Sequence, residues 1–258
     1  PTSDLFDPLL HPWLEAARRD PDAPAVRDGA QRISRRALLE RAIGIAARLV
    51  ADPPSAGRNP VVLVHGGKSI HAVAAILGTL LAGRAYAFVE DNTPVAAMDA
   101  ILALLKPQAI LATGSPPPCA LSVADDMPII AVEACPPGAL SWLDAPPAGV
   151  RARAEDIAYV LFTSGSTGTP KGACLARDAA TAAVSAYCRD LGITDADRLA
   201  NSVSLSFDVS MFDILTAART GLSRFPVHHG DLDDIVGVVH IKDVLGLDPP
   251  RRRAEPLR

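Results

Sequence analysis

The sequence is poor in several things, and each shortage removes a class of function. There are four cysteines in 258 residues, Cys119, Cys135, Cys174 and Cys188. They lie far apart, with no C-x-x-C pair and no histidine at metal-ligand spacing, so neither a disulfide framework nor a zinc site is readable. Basic charge is not in excess: 25 Lys and Arg stand against 29 Asp and Glu, a formal net charge of -4. That leaves no basic footprint for a phosphate backbone, and nucleic acid is excluded as an expected partner. Long apolar runs are missing too, since those at 61–64 and 157–162 stop far short of the roughly 18 residues a spanning helix needs. The opening residues Pro1-Thr2-Ser3-Asp4 show neither the basic segment nor the apolar stretch of a secretory signal. The expectation is therefore a cytoplasmic protein with no membrane partner. Six histidines are scattered except for His228-His229, which sit beside Gly230 in a turn-like stretch and read as solvent-facing.

What is present is apolar side chain, 49% of residues, enough to bury one large core or two modest ones. Its spacing alternates between two periods. Leu9, Leu10, Trp13, Leu14 and Ala17 recur at helical spacing, and prolines at 21 and 24 end that element. Ser34 is placed to cap a longer helix whose apolar face runs through Leu38, Leu39, Ala42, Ile43, Ala46 and Leu49. A buried-type strand at 61–64 leads into a helix carrying Ile70, Val73, Leu77 and Leu80, which Gly83 terminates. A strand at 86–89, a helix through Met98, Ile101, Leu102 and Leu105, and a strand at 109–111 continue the alternation. That order implies an α/β fold, a parallel sheet with crossover helices. Between 113 and 150 prolines cluster around one short strand candidate at 129–132, which reads as a connector.

The chemistry is concentrated in Tyr159-Val160-Leu161-Phe162-Thr163-Ser164-Gly165-Ser166-Thr167-Gly168-Thr169-Pro170-Lys171-Gly172. A buried strand runs into a loop with little side-chain bulk, rich in hydroxyls and followed by one cation. Glycines let backbone N–H groups approach an anion, hydroxyls add donors and a lysine supplies countercharge, a combination suited to a polyphosphate. The loop is not the common nucleotide P-loop, because Pro170 stands where the second glycine is needed and Gly172 where the hydroxyl is needed. A strand, Ala173-Cys174-Leu175-Ala176, follows it instead of a helix. Two look-alikes fail. Gly67-Lys68-Ser69 has Val62 at the position of the required upstream glycine, and His65-Gly66-Gly67 has no Gly-x-Ser-x-Gly elbow to serve.

The string 159–172 resembles the signature phosphate loop of the adenylate-forming superfamily, which includes the adenylation domains of nonribosomal peptide synthetases, acyl-CoA synthetases and luciferases. Other blocks agree in order. Arg19-Asp20-Pro21-Asp22-Ala23-Pro24-Ala25-Val26 resembles the family's opening, and Leu81-Ala82-Gly83-Arg84-Ala85-Tyr86 with Thr93-Pro94 resembles a second block. Phe207-Asp208-Val209-Ser210 resembles the block that opens the acyl-substrate pocket. With Met211-Phe212-Asp213-Ile214 and the Gly83–Tyr86 block, it is most similar to D-alanine:carrier-protein ligases and peptide-synthetase domains. The resemblance implies the fold of the N-terminal subdomains of those enzymes, with ATP and Mg2+ as cofactors, a small or apolar amino acid as substrate and a phosphopantetheinyl carrier protein as partner. It further implies that Thr163, Ser164, Gly165, Ser166, Thr167, Gly168, Thr169 and Lys171 hold the ATP phosphates, Lys171 being the catalytic cation. Asp208 then holds the α-ammonium group, and Phe207, Val209 and Phe212 belong to the pocket.

After Ile214 the resemblance stops. The family's Tyr-Gly-x-Thr-Glu block has no counterpart here, Tyr187 being the last tyrosine, so the expectation is a truncated adenylation domain over 1–215 that is incomplete as a catalyst. Residues 216–258 instead resemble half of a CBS domain of the CorC/hemolysin-like transporter-associated family. That likeness implies a short β-hairpin over 225–227 and 235–241, then a helix at 242–247 that carries Asp243. The alternatives it opens are an adenosine-nucleotide-binding regulatory module, or a chimeric fragment with no function.

Overall fold

Alternate residues of the central strands are apolar on both sides, and this decides the layering. In β3 (Asn59–Gly66), Val62 and Val64 face one core while Val61 and Leu63 face another. In β4 (Ala85–Val89), Tyr86 and Phe88 join the first core, and Ala85, Ala87 and Val89 join the second. A strand buried on both faces needs helices above and below, which parallel crossovers supply. The computed structural model describes residues 8–53, 59–117, 127–147, 150, 152–164, 170–194, 197, 199, 201, 203–220 and 226–227.

Six strands form the main sheet in the order β6-β5-β3-β4-β7-β8. Here β5 is Pro107–Thr113, β6 Ile129–Ala131, β7 Ile157–Ser164 and β8 Pro170–Ala176. The pairings are parallel from β6 through β7, and β8 closes the edge antiparallel to β7. One face carries α2 (Arg35–Ala51) and α3 (Ile70–Leu81). The same apolar core takes in α1 (His11–Arg19), α5 (Arg177–Leu191) and α6 (Asp208–Thr220). The other face is covered by α4 (Val95–Leu105), through Met98, Ile101, Leu102 and Leu105.

The helices and strands expected up to residue 176 are present, with their expected signals. Ser34 Oγ accepts from Ala37 N at 3.2 Å and caps α2. Gly83, at φ +71, follows the last turn of α3 in the left-handed region. The prolines between 113 and 150 surround β6 and two short 3-10 turns at Val132–Ala134 and Leu140–Leu143. Outside the sequence reading lie α5, α6 and a hairpin of β1 (Pro24–Asp28) and β2 (Gln31–Ser34), turned at Gly29 with φ +55.

The expected C-terminal hairpin is only partly covered. Pro226–Val227 forms β9, which lies parallel to β1 with Arg27 opposite Pro226, so this segment pairs far from its sequence neighbours. The partner strand at 235–241 and the helix at 242–247 lie outside the described residues.

Helices α2 and α3 meet closely because Gly78 has no side chain. A Cβ there would stand 2.7 Å from the Ala42 carbonyl oxygen and 2.9 Å from Ile45 Cβ. Gly78→Val is expected to lower the unfolding free energy by roughly 1–3 kcal/mol through overpacking, outweighing its gain in helix propensity. Urea unfolding of the two proteins checks this, and a midpoint at or above that of the parent would contradict the packing.

Candidate functional site

Strand β7 enters between β4 and β8 and delivers its C-terminal end to the edge where the parallel strands finish. Ligand-binding crevices form at such edges, because successive strands send their crossovers to opposite sides. The antiparallel register sets Thr163 opposite Lys171 and Ser164 opposite Pro170, so the chain reverses over 165–169. Cross-strand partners share a face of the sheet, which puts the Thr163 and Lys171 side chains side by side, both exposed. Gly165, Ser166, Thr167, Gly168 and Thr169 lie outside the described residues. The strand-loop-strand arrangement expected for this segment is present.

The second group of site residues opens α6. Asp208 and Phe207 are exposed, Phe207 at 64% of its surface, while Val209 and Phe212 are half-buried. Phe212 stacks on Tyr187 of α5, with ring centroids 5.2 Å apart. The charge of Asp208 is felt by Tyr159 on β7, whose phenol is raised first by burial and then by that carboxylate. Tyr159 and Thr163 share a strand face four residues apart, about 13 Å along a strand. The reversal at 164–170 and the start of α6 therefore lie on one side of the sheet.

Two clefts flank these elements. One, about 860 Å³, runs along the opposite face of the hairpin between Val160, Phe162, Arg84, Leu104 and Cys174, with Lys171 at its border. The other, about 640 Å³, sits at the C-terminal ends of β3, β4 and β5, between Lys68, His71, Asp91, Thr113 and Glu133. Its floor explains both look-alike motifs. Gly66, at φ +142, passes so close to Thr113 that a Cβ would meet its hydroxyl at 2.0 Å, so glycine is required for packing. Ser69 caps α3, its Oγ accepting from Ala72 N at 3.1 Å. Burial pushes the His65 imidazole down, against the raising influence of Asp91.

Sequence reasoning missed a buried polar cluster behind α6. Asn201, 1% exposed, donates through Nδ2 to the Ser210 carbonyl at 3.3 Å and to Asp213 Oδ2 at 3.4 Å. Lys68 Nζ donates to the Asn201 carbonyl at 3.3 Å across 133 residues. Burial pushes the Lys68 ammonium down while Glu90 and Asp213 oppose it. Burial likewise raises the Asp213 carboxyl to about 7, against the Asn201 hydrogen bond and the Lys68 charge. Tyr187 is pushed up to about 12 by burial and by Asp213. The one signal in the sequence was a single acid within the apolar run Met211-Phe212-Asp213-Ile214-Leu215.

Among the described residues, no group of three or more His, Cys, Asp and Glu is arranged to hold a metal ion. Likewise no described helix is long and apolar enough to cross a membrane.

A family model described as AMP-binding enzyme matches residues 13–240. The match takes in 216–240, so the comparison of that stretch with half a CBS domain finds no support. Pyochelin synthetase PchF of Pseudomonas aeruginosa is 36% identical over 212 residues, covering 81% of this chain and 11% of its own length. Phenyloxazoline synthase MbtB of Mycobacterium tuberculosis is 36% identical over 212 residues, covering 81% and 14%. The chain thus spans less than a fifth of either relative. Solved structures share the fold, VinN and holo-AB3403 among them. VinN in complex with L-aspartate has a TM-score of 0.69 at 20% identity, over 87% of this chain and 63% of that one. Holo-AB3403, a four-domain nonribosomal peptide synthetase bound to AMP and glycine, also has a TM-score of 0.69, at 23% identity over 85% and 15%.

The raised Asp213 carboxyl links stability to pH. The folded chain keeps this proton up to about pH 7, whereas the unfolded chain releases it near its ordinary value of 3.8. Its contribution is therefore full below about pH 4 and is lost as pH rises through 7. Asp213→Asn removes that loss, so the variant's urea midpoint is expected to gain on the parent's from pH 4.5 to 8; a constant difference would refute the assignment.

Proposed function

Because the chain belongs to the AMP-binding enzyme family, we propose that it is the phosphate-gripping and substrate-opening part of an amino-acid adenylation domain. The reading is carried by one juxtaposition: Thr163 and Lys171 stand opposite each other across the neck of the loop, on the strand face toward Asp208. Residues 1–215 hold every side chain given a role.

In this reading Thr163, Ser164 and the hydroxyls and glycines of 165–169 donate to the β- and γ-phosphates of ATP. Lys171 neutralises charge that builds on them as pyrophosphate departs. Mg2+ bound to the nucleotide would add charge neutralisation to that of Lys171; among the described residues no cluster of His, Cys, Asp and Glu would hold it. Asp208 receives the α-ammonium group of the amino acid, and Phe207, Val209 and Phe212 border its side chain. Held in this way, the substrate carboxylate attacks the α-phosphorus; the bond to the bridging oxygen breaks, and pyrophosphate leaves with that electron pair. The aminoacyl adenylate is then attacked by the phosphopantetheine thiol of a carrier protein, releasing AMP. The relatives support this substrate class, since pyochelin synthetase and phenyloxazoline synthase are among the curated proteins matched. VinN with L-aspartate and holo-AB3403 with AMP and glycine pair the same fold with amino-acid ligands.

Calorimetric titration of the chain tests the assignment. Lys171→Ala is expected to weaken binding of a non-hydrolysable ATP analogue at least about tenfold, since a hydrogen bond to a charged group contributes roughly 1.5–3 kcal/mol. Asp208→Asn is expected to weaken binding of the preferred amino acid by a similar factor and to leave the nucleotide unaffected. Unchanged affinities in both variants would reject the site.

A further inference from the structure

The helix that opens with Asp208 is held from behind by buried polar groups. Asn201 bonds the first turn at the Ser210 carbonyl, and Ser210 Oγ in turn donates to the Phe207 carbonyl at 2.7 Å. The same side-chain amide reaches Asp213 one turn on, and the backbone carbonyl of Asn201 accepts from Lys68. Lys68 stands in the connection between β3 and α3, directly before the cap residue Ser69, so it is fixed to the C-terminal edge of the parallel sheet. Ser210, Asn201 and Asp213 are at most 7% exposed. Buried ionic and amide groups of this kind gain little stability over an apolar filling, but they hold one geometry against alternatives.

We propose that Lys68, Asn201 and Asp213 form a strut that positions the start of α6, and with it Asp208, for the ammonium group of the amino acid. They are positioning residues, since the carboxylate placed on the substrate is that of Asp208. The inference rests on the reading of Asp208 given above. The apolar side of α6 does not supply this constraint. Met211, Ile214 and Leu215 fix how deeply the helix is seated, and Tyr86 Oη reaches Met211 Sδ. Sliding or rolling of the first turn is opposed by the directional bonds from Asn201 and the charge of Lys68.

The test uses the chain in four forms: parent, Lys68→Met, Lys68→Arg and Asp208→Ala. Amide hydrogen exchange reads the strut, and calorimetry reads affinity for the preferred amino acid and for a non-hydrolysable ATP analogue. In Lys68→Met the amides at 210–213 are expected to exchange at least about tenfold faster, with those at 62–64 and 110–112 unchanged. Amino-acid affinity should fall roughly five- to tenfold with nucleotide affinity intact, and Lys68→Arg should recover most of both effects. Unchanged exchange at 210–213 would overturn the strut. Faster exchange with undiminished amino-acid affinity would overturn its positioning role. If Asp208→Ala left amino-acid affinity unchanged, the functional reading would fail instead, whatever the exchange data showed. Should Lys68→Met not fold, Asn201→Ala, which removes the side-chain amide that reaches the Ser210 carbonyl and Asp213, carries the same test with about a threefold expected loss.

Discussion

The pairing of β7 is the constraint from which the rest follows. It runs parallel to β4 on one side and antiparallel to β8 on the other. The parallel pairing carries its C-terminal end to the edge where β3, β4 and β5 also finish. The antiparallel pairing forces the chain to reverse at once after Ser164. The sequence between the paired ends is Gly165, Ser166, Thr167, Gly168 and Thr169. The same register sets Thr163 beside Lys171. The phosphate-binding role proposed for this loop thus rests on strand order, which brings Thr163 and Lys171 together at that edge.

Helix α6 completes the arrangement by a different kind of bond. Its apolar residues join the large core beneath the sheet, which fixes its depth without fixing its rotation. Rotation is a matter for directional contacts, and these come from Asn201, Ser210 and Lys68. They are made at some expense in stability, because Asp213 is buried and its carboxyl gives up its proton only near pH 7. A carboxamide or an aliphatic side chain in its place would sit there more easily. Local conflict of this sort in an otherwise consistent core is expected near functional sites.

The two glycine-rich look-alikes carry a general point about short motifs. Gly67-Lys68-Ser69 and His65-Gly66-Gly67 are both at a strand end, at the edge where ligands bind in this class of sheet. Yet Gly66 is there because Thr113 leaves no room for a Cβ, and Ser69 because α3 needs a cap. Lys68 turns toward Asn201, 133 residues away. Residue type and approximate location suggested chemistry, and packing assigned other tasks.

Much was legible in the sequence, and the reason is local. Helical and strand periods, the cap at Ser34, the stop at Gly83 and the crowding of glycine and hydroxyl residues after Phe162 all act within a few residues, so the order of elements up to β8 and the small-residue loop could be read without a structure. The hairpin at 24–34 was missed because its strands are too short to show alternation. The pairing of Pro226–Val227 with β1, the closeness of Asp208 to Tyr159 and the chain from Lys68 through Asn201 to Asp213 could not be read at all. Each joins residues roughly 50 to 200 positions apart, and no spacing along the chain encodes which strand neighbours which. Only the closing of the sheet brings those groups to the same side, and only burial then gives a single aspartate in an apolar run its altered charge.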